Sequence, residues 1–288
     1  MAKHIQNPSG EAISGNHGSN ENSNEFSGVR GESSIRSAAS DDVRHTPSLA
    51  GRLWYWWSLF AAALILLIIA PPVIVVCRLL NRREWLYPWA HFGGRLWLRL
   101  SGTDWNLKGL DKLDSHRTYI FAANHRSYLD TSVLFNCINR RIGLFAKKEL
   151  LKVPIFGYGM GYVNIMAIDR SSLERAATTV RAATDNIRSG RSFGVFVEGK
   201  RARPGELLPF KKGAFYMAVE TQTPIVPVVF KNTDKLMGKG TGEAKPGTIE
   251  VVFLDPVETV GLSGDDDVKR LTEKVRMLIA DELKPLKM

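Results

Sequence analysis

Cysteine is nearly absent from this chain: Cys77 and Cys137 are the two in 288 residues. Their spacing fits neither a disulfide framework nor a zinc site, so the fold must rest on an apolar core. The folded part is expected to face a reducing compartment. Hydrophobic residues make up 44% of the chain, compatible with such a core. Acidic residues are also in short supply, 29 against 39 Lys and Arg, which leaves a formal net charge of +10. A basic balance points to an anionic partner: nucleic acid, a lipid surface or a phosphorylated substrate. There is no zinc-finger, helix-turn-helix or aromatic RNA-binding pattern, and the cations form no continuous stripe. Nucleic acid is therefore set aside. Internal repeats are missing as well.

Absences also divide the chain. Residues 1–50 have few aromatics and many Ser, Asn, Gly and Glu. Such a segment buries too little apolar area to offset chain entropy, and it reads as a disordered tail. Its charged start is followed by no apolar stretch, which excludes a secretory signal. From Trp54 to Cys77 the missing element is charge: no charged residue occurs. A membrane-spanning helix needs about 20 apolar residues. Aromatics at 54–57 suit one interface, and Arg78, Arg82 and Arg83 the other. Pro71-Pro72 should break or kink the helix, so the segment is expected to form one kinked span or a shallow re-entrant hairpin. The denser basic cluster follows the span, which places the C-terminal domain in the cytoplasm. Residues 84–100 set Trp85, Tyr87, Trp89 and Trp97 among arginines. They read either as a helix lying in the interface with Arg95 and Arg99 snorkelling, or as a helix packed on the domain. The expected organisation is a tail (1–50), membrane-embedded and interfacial helices (51–100) and one folded domain (101–288).

From about Leu107 strand-like and helix-like patterns alternate. Candidate strands are 118–123, 142–146, 164–168, 193–197, 225–230 and 249–254; candidate helices are 127–137, 171–189, 213–220 and 267–282. The second helix shows a capping box, Ser171 with Glu174, and an apolar face at Leu173, Ala177, Val180 and Ile187. This alternation predicts an α/β domain with a mixed sheet flanked by helices.

Chemistry concentrates where strands should end. Asn124-His-Arg-Ser-Tyr-Leu-Asp130 follows an apolar run directly. A histidine there can abstract a proton, and an aspartate one turn on can hold the imidazole by its other nitrogen. The motif contains no serine nucleophile of the triad kind, so the pair suits direct attack by a substrate hydroxyl. A second strand closes on Asp169-Arg170. The Arg170 guanidinium can clamp a phosphate, or it can form a plain salt bridge with Asp169 or Glu174. A third ends in Glu198-Gly-Lys-Arg-Ala-Arg203, where Gly199 lets backbone N–H groups approach an anion and Lys200, Arg201 and Arg203 add charge. A fourth, Thr223-Pro-Ile-Val-Pro-Val-Val-Phe230, carries no reactive group and reads as structure or as the wall of an apolar channel.

These four blocks, in this order, resemble the glycerolipid acyltransferases of the PlsC type, the lysophosphatidate acyltransferase family. The resemblance runs over residues 107–253, with a hydrophobic leader before it, and includes the stretch from Phe145 to Gly157. It implies a glycerolipid acyltransferase-like fold and transfer of a fatty acyl group from an acyl thioester to the sn-2 hydroxyl of lysophosphatidate, giving phosphatidate. It implies His125 as general base and Asp130 as its orienter. Lys147, Arg170, Glu198, Gly199 and Arg201 would then bind substrate, with 224–228 near the acyl path. The thioester, acyl-CoA or acyl carrier protein, would be a co-substrate; no metal or other cofactor is expected. Membrane lipid would supply acceptor and take up product. Two positions depart from the family pattern: Val197 stands for the usual proline and Lys200 for the usual threonine. The latter leaves another lyso-lipid open as acceptor. A lipid hydrolase, with water in place of the acceptor, and a non-catalytic membrane-anchored binding protein are the competing classes.

Overall fold

The computed structural model describes residues 47–138 and 141–284. The tail expected over 1–50 lies almost wholly outside the described residues.

Helix α1 (Leu49–Leu79) is capped by Ser48, whose hydroxyl accepts the Gly51 N–H. It runs unbroken through Pro71 and Pro72, so the hairpin alternative is not what forms. An interior proline costs a helix about 3 kcal/mol, and the packing of a 31-residue helix offsets that cost. It ends where Asn81 turns left-handed (φ 51°) and the Arg82 N–H reaches back to the Cys77 carbonyl at 2.9 Å, a Schellman-type stop. Helix α2 (Leu86–Leu100) packs beside it. Trp54 and Trp57 donate to the carbonyls of Ser101 and Leu100, both at 3.0 Å, and the Ser58 and Ser101 hydroxyls meet at 2.7 Å.

At 1.5 Å per residue α1 is about 46 Å long, and it is tied to the rest of the unit at both ends. Ala244 N–H bonds the Gly51 carbonyl at 2.9 Å, and Arg78 donates to the Tyr158 hydroxyl at 2.8 Å. Its outward face carries Trp56, Phe60, Leu67 and Ile68, all exposed. Helix α2 packs on the domain, the second of the two readings the sequence allowed, and leaves an apolar face outward. Leu86, Tyr87 and Leu98 are buried, with the Tyr87 hydroxyl on the Ile142 carbonyl at 2.7 Å, while Trp89 and Phe92 stay exposed.

The seven strands are β1 (Thr103–Lys108), β2 (Ile120–Ala123), β3 (Gly143–Lys147), β4 (Ile165–Ile168), β5 (Phe193–Phe196), β6 (Ile225–Lys231) and β7 (Gly247–Phe253). They form one mixed sheet in the order β1-β7-β6-β2-β5-β3-β4. Strands β2 to β6 run parallel; β7 is antiparallel to β6, and β1 is parallel to β7. Helices α3 (Leu129–Cys137), α4 (Phe156–Met160), α5 (Leu173–Arg188), α6 (Gly213–Thr221), α7 (Thr233–Met237) and α8 (Gly264–Leu283) complete the fold. One face of the sheet, with Phe121, Ala123, Val226, Val228 and Phe230, packs under α2 and α3. The other, with Ile120, Ala122, Ile225 and Val229, packs under α5, α6 and α8. Central strands buried on both faces read as continuous apolar runs, which is why they were legible in the sequence.

Two local expectations need correction. The polar strand β1 gave no signal: as an edge strand it buries only Thr103 fully. At α5 the cap is Ser172, which accepts the Arg175 N–H at 3.3 Å, because Ser171 is engaged by Asp169 through its hydroxyl at 2.6 Å. Leu173 consequently points to solvent, 92% exposed, while Ala183 and Ile187 make the buried contacts.

The strands β2, β3, β4, β5 and β6 all end at the same edge of the sheet, where α/β folds place their sites. Pro227, which has no N–H to give a ladder, sits where the β6–β7 ladder begins: Leu254 donates to its carbonyl at 2.9 Å, and regular pairing starts at Val228 with Phe253. Val226, Pro227 and Val228 are buried in the sheet. This fourth block is core strand rather than the wall of an open channel.

Candidate active site

The end of β2 is held by Asn124, a buried side chain that replaces a strand residue. Its amide donates to the Phe230 carbonyl at 3.0 Å and its oxygen accepts the Phe230 N–H at 2.8 Å. His125 therefore leaves a fixed strand end. Its own N–H goes to Glu198 Oε1 and its carbonyl accepts the Ala202 N–H, both at 2.8 Å. Its ring stacks on Phe196 with centroids 4.1 Å apart.

Asp130 is fully buried at the start of α3, where the positive end of the helix favours a carboxylate. Its Oδ2 accepts three hydrogen bonds: from His125 Nδ1 at 2.9 Å, Arg126 N–H at 2.7 Å and Ser127 N–H at 2.8 Å. Because this oxygen can only accept, Nδ1 carries the imidazole proton and Nε2 keeps its lone pair. Among the described residues the His125 ring bonds no other side chain, and it remains 15% exposed. The arrangement is a base with an open nitrogen and an oriented tautomer, with no protein hydroxyl or thiol between it and an incoming substrate.

The third block is where sequence and structure part. Glu198 faces inward: Oε1 accepts from His125 and Oε2 from the Leu208 N–H at 2.8 Å. Burial raises its pKa, and the two N–H bonds pull the other way. It is a latch between the His125 backbone and the 199–208 loop, not a phosphate contact. Gly199 is required for its φ of +71°, but its N–H closes a turn on the Phe196 carbonyl at 3.0 Å and does not face a ligand. Both residues thus position the site. Arg201 is different. Its guanidinium lies 3.5 Å over the Tyr128 ring, a cation–π shelf, and it has no acidic partner among the described residues. Lys239 donates to the Arg201 carbonyl at 2.7 Å and adds a cation that the sequence did not mark. Arg126 is committed elsewhere, to the Glu206 carbonyl and Asp234.

Lys147 closes β3 and pairs loosely with Glu149 at 3.5 Å. Arg170 follows β4. The salt bridge it might have made is absent, because Asp169 is taken by Lys148 at 2.9 Å and Arg175 at 2.6 Å. These partners hold the Asp169 carboxyl well below the usual carboxylate range, the Lys148 bond first among them and Ser171 next. Arg170 is left exposed, with no hydrogen-bonded partner among the described residues.

Strand positions decide what can share one ligand. Neighbouring strands lie about 4.8 Å apart, so the loop after β5 that carries Arg201 runs beside His125 after β2, and Ala202 N–H bonds the His125 carbonyl at 2.8 Å. Lys147 is two strands away and Arg170 three, about 14 Å across the sheet. The β5–β3 ladder covers only Gly143 with Phe193 and Leu144 with Gly194. Beyond it β3 pairs only with β4 and β5 only with β2, which leaves a gap in the ladder between the Arg201 loop and Lys147. The structure therefore brings His125, Asp130 and Arg201 together and sets Lys147 and Arg170 on the far bank.

Comparison with known proteins follows the same lines. Residues 104–231 match the model of the family described as Acyltransferase. The 1-acyl-sn-glycerol-3-phosphate acyltransferase of Saccharomyces cerevisiae is 36% identical over 188 residues, covering 64% of this chain and 61% of that protein. The Cocos nucifera protein of the same name is 30% identical over 196 residues, covering 68% and 63%. The chain thus spans under two thirds of the length of these relatives. The crystal structure of PlsC, the 1-acyl-sn-glycerophosphate acyltransferase from Thermotoga maritima, is similar in fold. Its TM-score is 0.68, with 82% of this chain and 96% of that one covered at 24% identity.

Proposed function

Since residues 104–231 match the family described as Acyltransferase, we propose that the chain transfers a fatty acyl group from an acyl thioester to the sn-2 hydroxyl of lysophosphatidate. The observation that carries this reading is the His125–Asp130 pair, 2.9 Å apart, with an open Nε2 and with Arg201 in the loop that bonds the His125 carbonyl through Ala202. In this mechanism His125 Nε2 takes the hydroxyl proton as the oxygen attacks the thioester carbonyl. Asp130 stabilises the imidazolium, and the proton passes to the departing thiolate. No covalent enzyme intermediate is needed, because a thiolate leaves readily. Arg201, pre-set on Tyr128, holds the acceptor phosphate. Lys147 and Arg170, across the gap, serve more distal anionic groups of acceptor or donor. The donor is acyl-CoA or an acyl carrier protein thioester.

Helices α1 and α2 seat the enzyme on a membrane. Leu49–Leu79 is long and apolar enough to cross a bilayer, with an 18-residue window of mean hydropathy 2.9. Its attachment to the α/β unit at both ends favours lying along that unit, with the outward apolar face in lipid, over a free-standing span. The Arg78, Arg82 and Arg83 cluster and two unpaired thiols suit a catalytic unit on the cytoplasmic side. The net charge of +10 favours anionic lipid.

The test is acyl transfer by the reconstituted full chain with lysophosphatidate and acyl-CoA, then with acyl carrier protein donors, against His125→Ala. Phosphatidate made by the wild type and lost in the variant supports the reading. A folded wild-type protein that acylates no lyso-lipid with any donor refutes it.

A further inference from the structure

A second polar recess lies at the other end of α1. It has a volume of about 260 Å³ and is lined by Cys77, Arg78, Asn81, Arg83 and Tyr162. The α1 end near Gly51 is bonded to Ala244. Arg78 stands 27 residues further along α1, about 40 Å at 1.5 Å per residue. Lys245 N–H bonds the Leu236 carbonyl and the Ser127 hydroxyl bonds the Met237 carbonyl, both at 2.8 Å, so the Gly51 end lies on the His125 side and the recess at the far end is separate from it.

Three features shape it. The left-handed turn at Asn81 folds the chain back, so that Arg78 from α1 and Arg83 from the following turn face one space. Both guanidinium groups are held in place by neighbouring tyrosines. Arg78 donates to the Tyr158 hydroxyl at 2.8 Å, the Tyr158 and Tyr162 hydroxyls meet at 3.0 Å, and Arg83 lies 5.4 Å over the Tyr162 ring. The local acid, Glu84, pairs with Arg82 at 3.8 Å, so neither Arg78 nor Arg83 has an acidic partner among the described residues. The bond from Tyr162, and after it the bond from Arg78, hold the Tyr158 phenol below its ordinary pKa, while the same Tyr158–Tyr162 bond pushes Tyr162 up. The recess also opens at the end of the exposed apolar stripe of α1, where lipid tails would give way to headgroups.

We propose that this recess binds a phosphate group, the anionic part of a phospholipid headgroup, at a site apart from the acyl-transfer centre. Two planar forks and the Tyr162 phenol match a tetrahedral oxyanion, with Tyr158 behind them as a brace on Arg78. A simple snorkelled arginine would not need its guanidinium fixed by a tyrosine pair.

The experiment compares the full-length wild type with Arg78→Gln/Arg83→Gln and with Arg95→Gln/Arg99→Gln. The last pair removes the same charge from exposed positions of α2. One arm measures binding to phosphatidylcholine vesicles carrying increasing phosphatidylglycerol. The other titrates inorganic phosphate onto protein in zwitterionic detergent, followed by tyrosine and tryptophan fluorescence. A cation near an anionic surface is worth about fivefold in binding, so a diffuse effect would cost both pairs about 25-fold alike, and the site adds a further loss to the first variant alone. Saturation by inorganic phosphate alone, lost in the first variant, identifies free phosphate as a sufficient ligand; a loss confined to vesicles identifies the lipid headgroup. Equal losses in the two variants would show a diffuse surface effect and overturn the site. Tyr158→Phe/Tyr162→Phe, which keeps shape and charge, guards against misfolding: it should weaken binding too, and unchanged binding there also counts against the site. Acyl transfer in detergent should stay unchanged in the Arg78/Arg83 variant.

Discussion

Replacing Asp130 by Asn tests the dyad more sharply than removing either residue. Asn differs from Asp by one NH₂ for one oxygen, and the question is which way the amide turns. Asp130 Oδ2 accepts from the backbone N–H groups of Arg126 and Ser127 as well as from His125. An NH₂ in that place would face two fixed donors, each left without an acceptor at about 1–3 kcal/mol. The amide oxygen is therefore forced toward His125, and the imidazole keeps its tautomer. What disappears is the charge opposite the imidazolium. A hydrogen bond to a charged group contributes about 1.5–3 kcal/mol, so kcat should fall about 10- to 150-fold at 1.36 kcal/mol per decade. The tautomer-breaking version of this change in a serine-protease triad costs about 10⁴-fold, well outside that window. The NH₂ meanwhile takes the place of Oδ1, which is buried without a partner among the described residues. A further stability loss of about 1–3 kcal/mol is expected from that buried donor. The assays are kcat at saturating donor and acceptor, and thermal unfolding of the same preparation. A loss as large as that of His125→Ala would refute the argument for the amide orientation. An unchanged kcat would refute the role of the carboxylate.

Other expectations follow from the same geometry. Arg201→Ala should lower kcat/KM by about 10- to 150-fold, mainly through KM for the phosphorylated acceptor; a fall in kcat at constant KM would contradict phosphate binding. Glu198→Gln sets an amide donor against either the His125 or the Leu208 N–H, so unfolding should become easier by about 1–3 kcal/mol, measured by denaturant titration. An unchanged midpoint would remove the latch. The Asp169 carboxyl titrates lower in the folded chain than in the unfolded one, so folding releases its proton. Its stabilisation is complete above the ordinary carboxylate pKa near 4 and is lost as pH falls below it, with the unfolded chain binding protons first. A pH series of melting temperatures should show Asp169→Asn with a shallower acid slope than wild type, and parallel slopes would refute this.

Much of this protein was legible in one dimension, and the reason is burial. Strands β2 and β6 are covered on both faces, so their residues had to be apolar throughout. Helix α8 packs one stripe, so it had to be periodic. Helix α1 announced itself because the run from Trp54 to Cys77 carries no charged residue. The order of the blocks around His125, Asp169, Glu198 and Pro224 pointed to the family for a related reason: each lies beside or within a strand of the same sheet. Where burial was partial the signal vanished, as at β1, or misled, as at Leu173, whose apolar side chain meets solvent.

The roles of individual polar residues were settled only in three dimensions. Glu198 is a latch because His125 and Leu208, 73 and 10 residues away, present their N–H groups to it. Arg170 is free because Lys148 and Arg175 reach Asp169 first. Lys239 stands beside Arg201 across 38 residues of chain. Likewise, Pro71-Pro72 marked a break, but packing against α2 and the domain carried α1 through it. Hydrophobic burial acts on whole segments and writes a period into the sequence. A hydrogen bond between two polar groups depends on which distant loops meet, and it leaves no period to read.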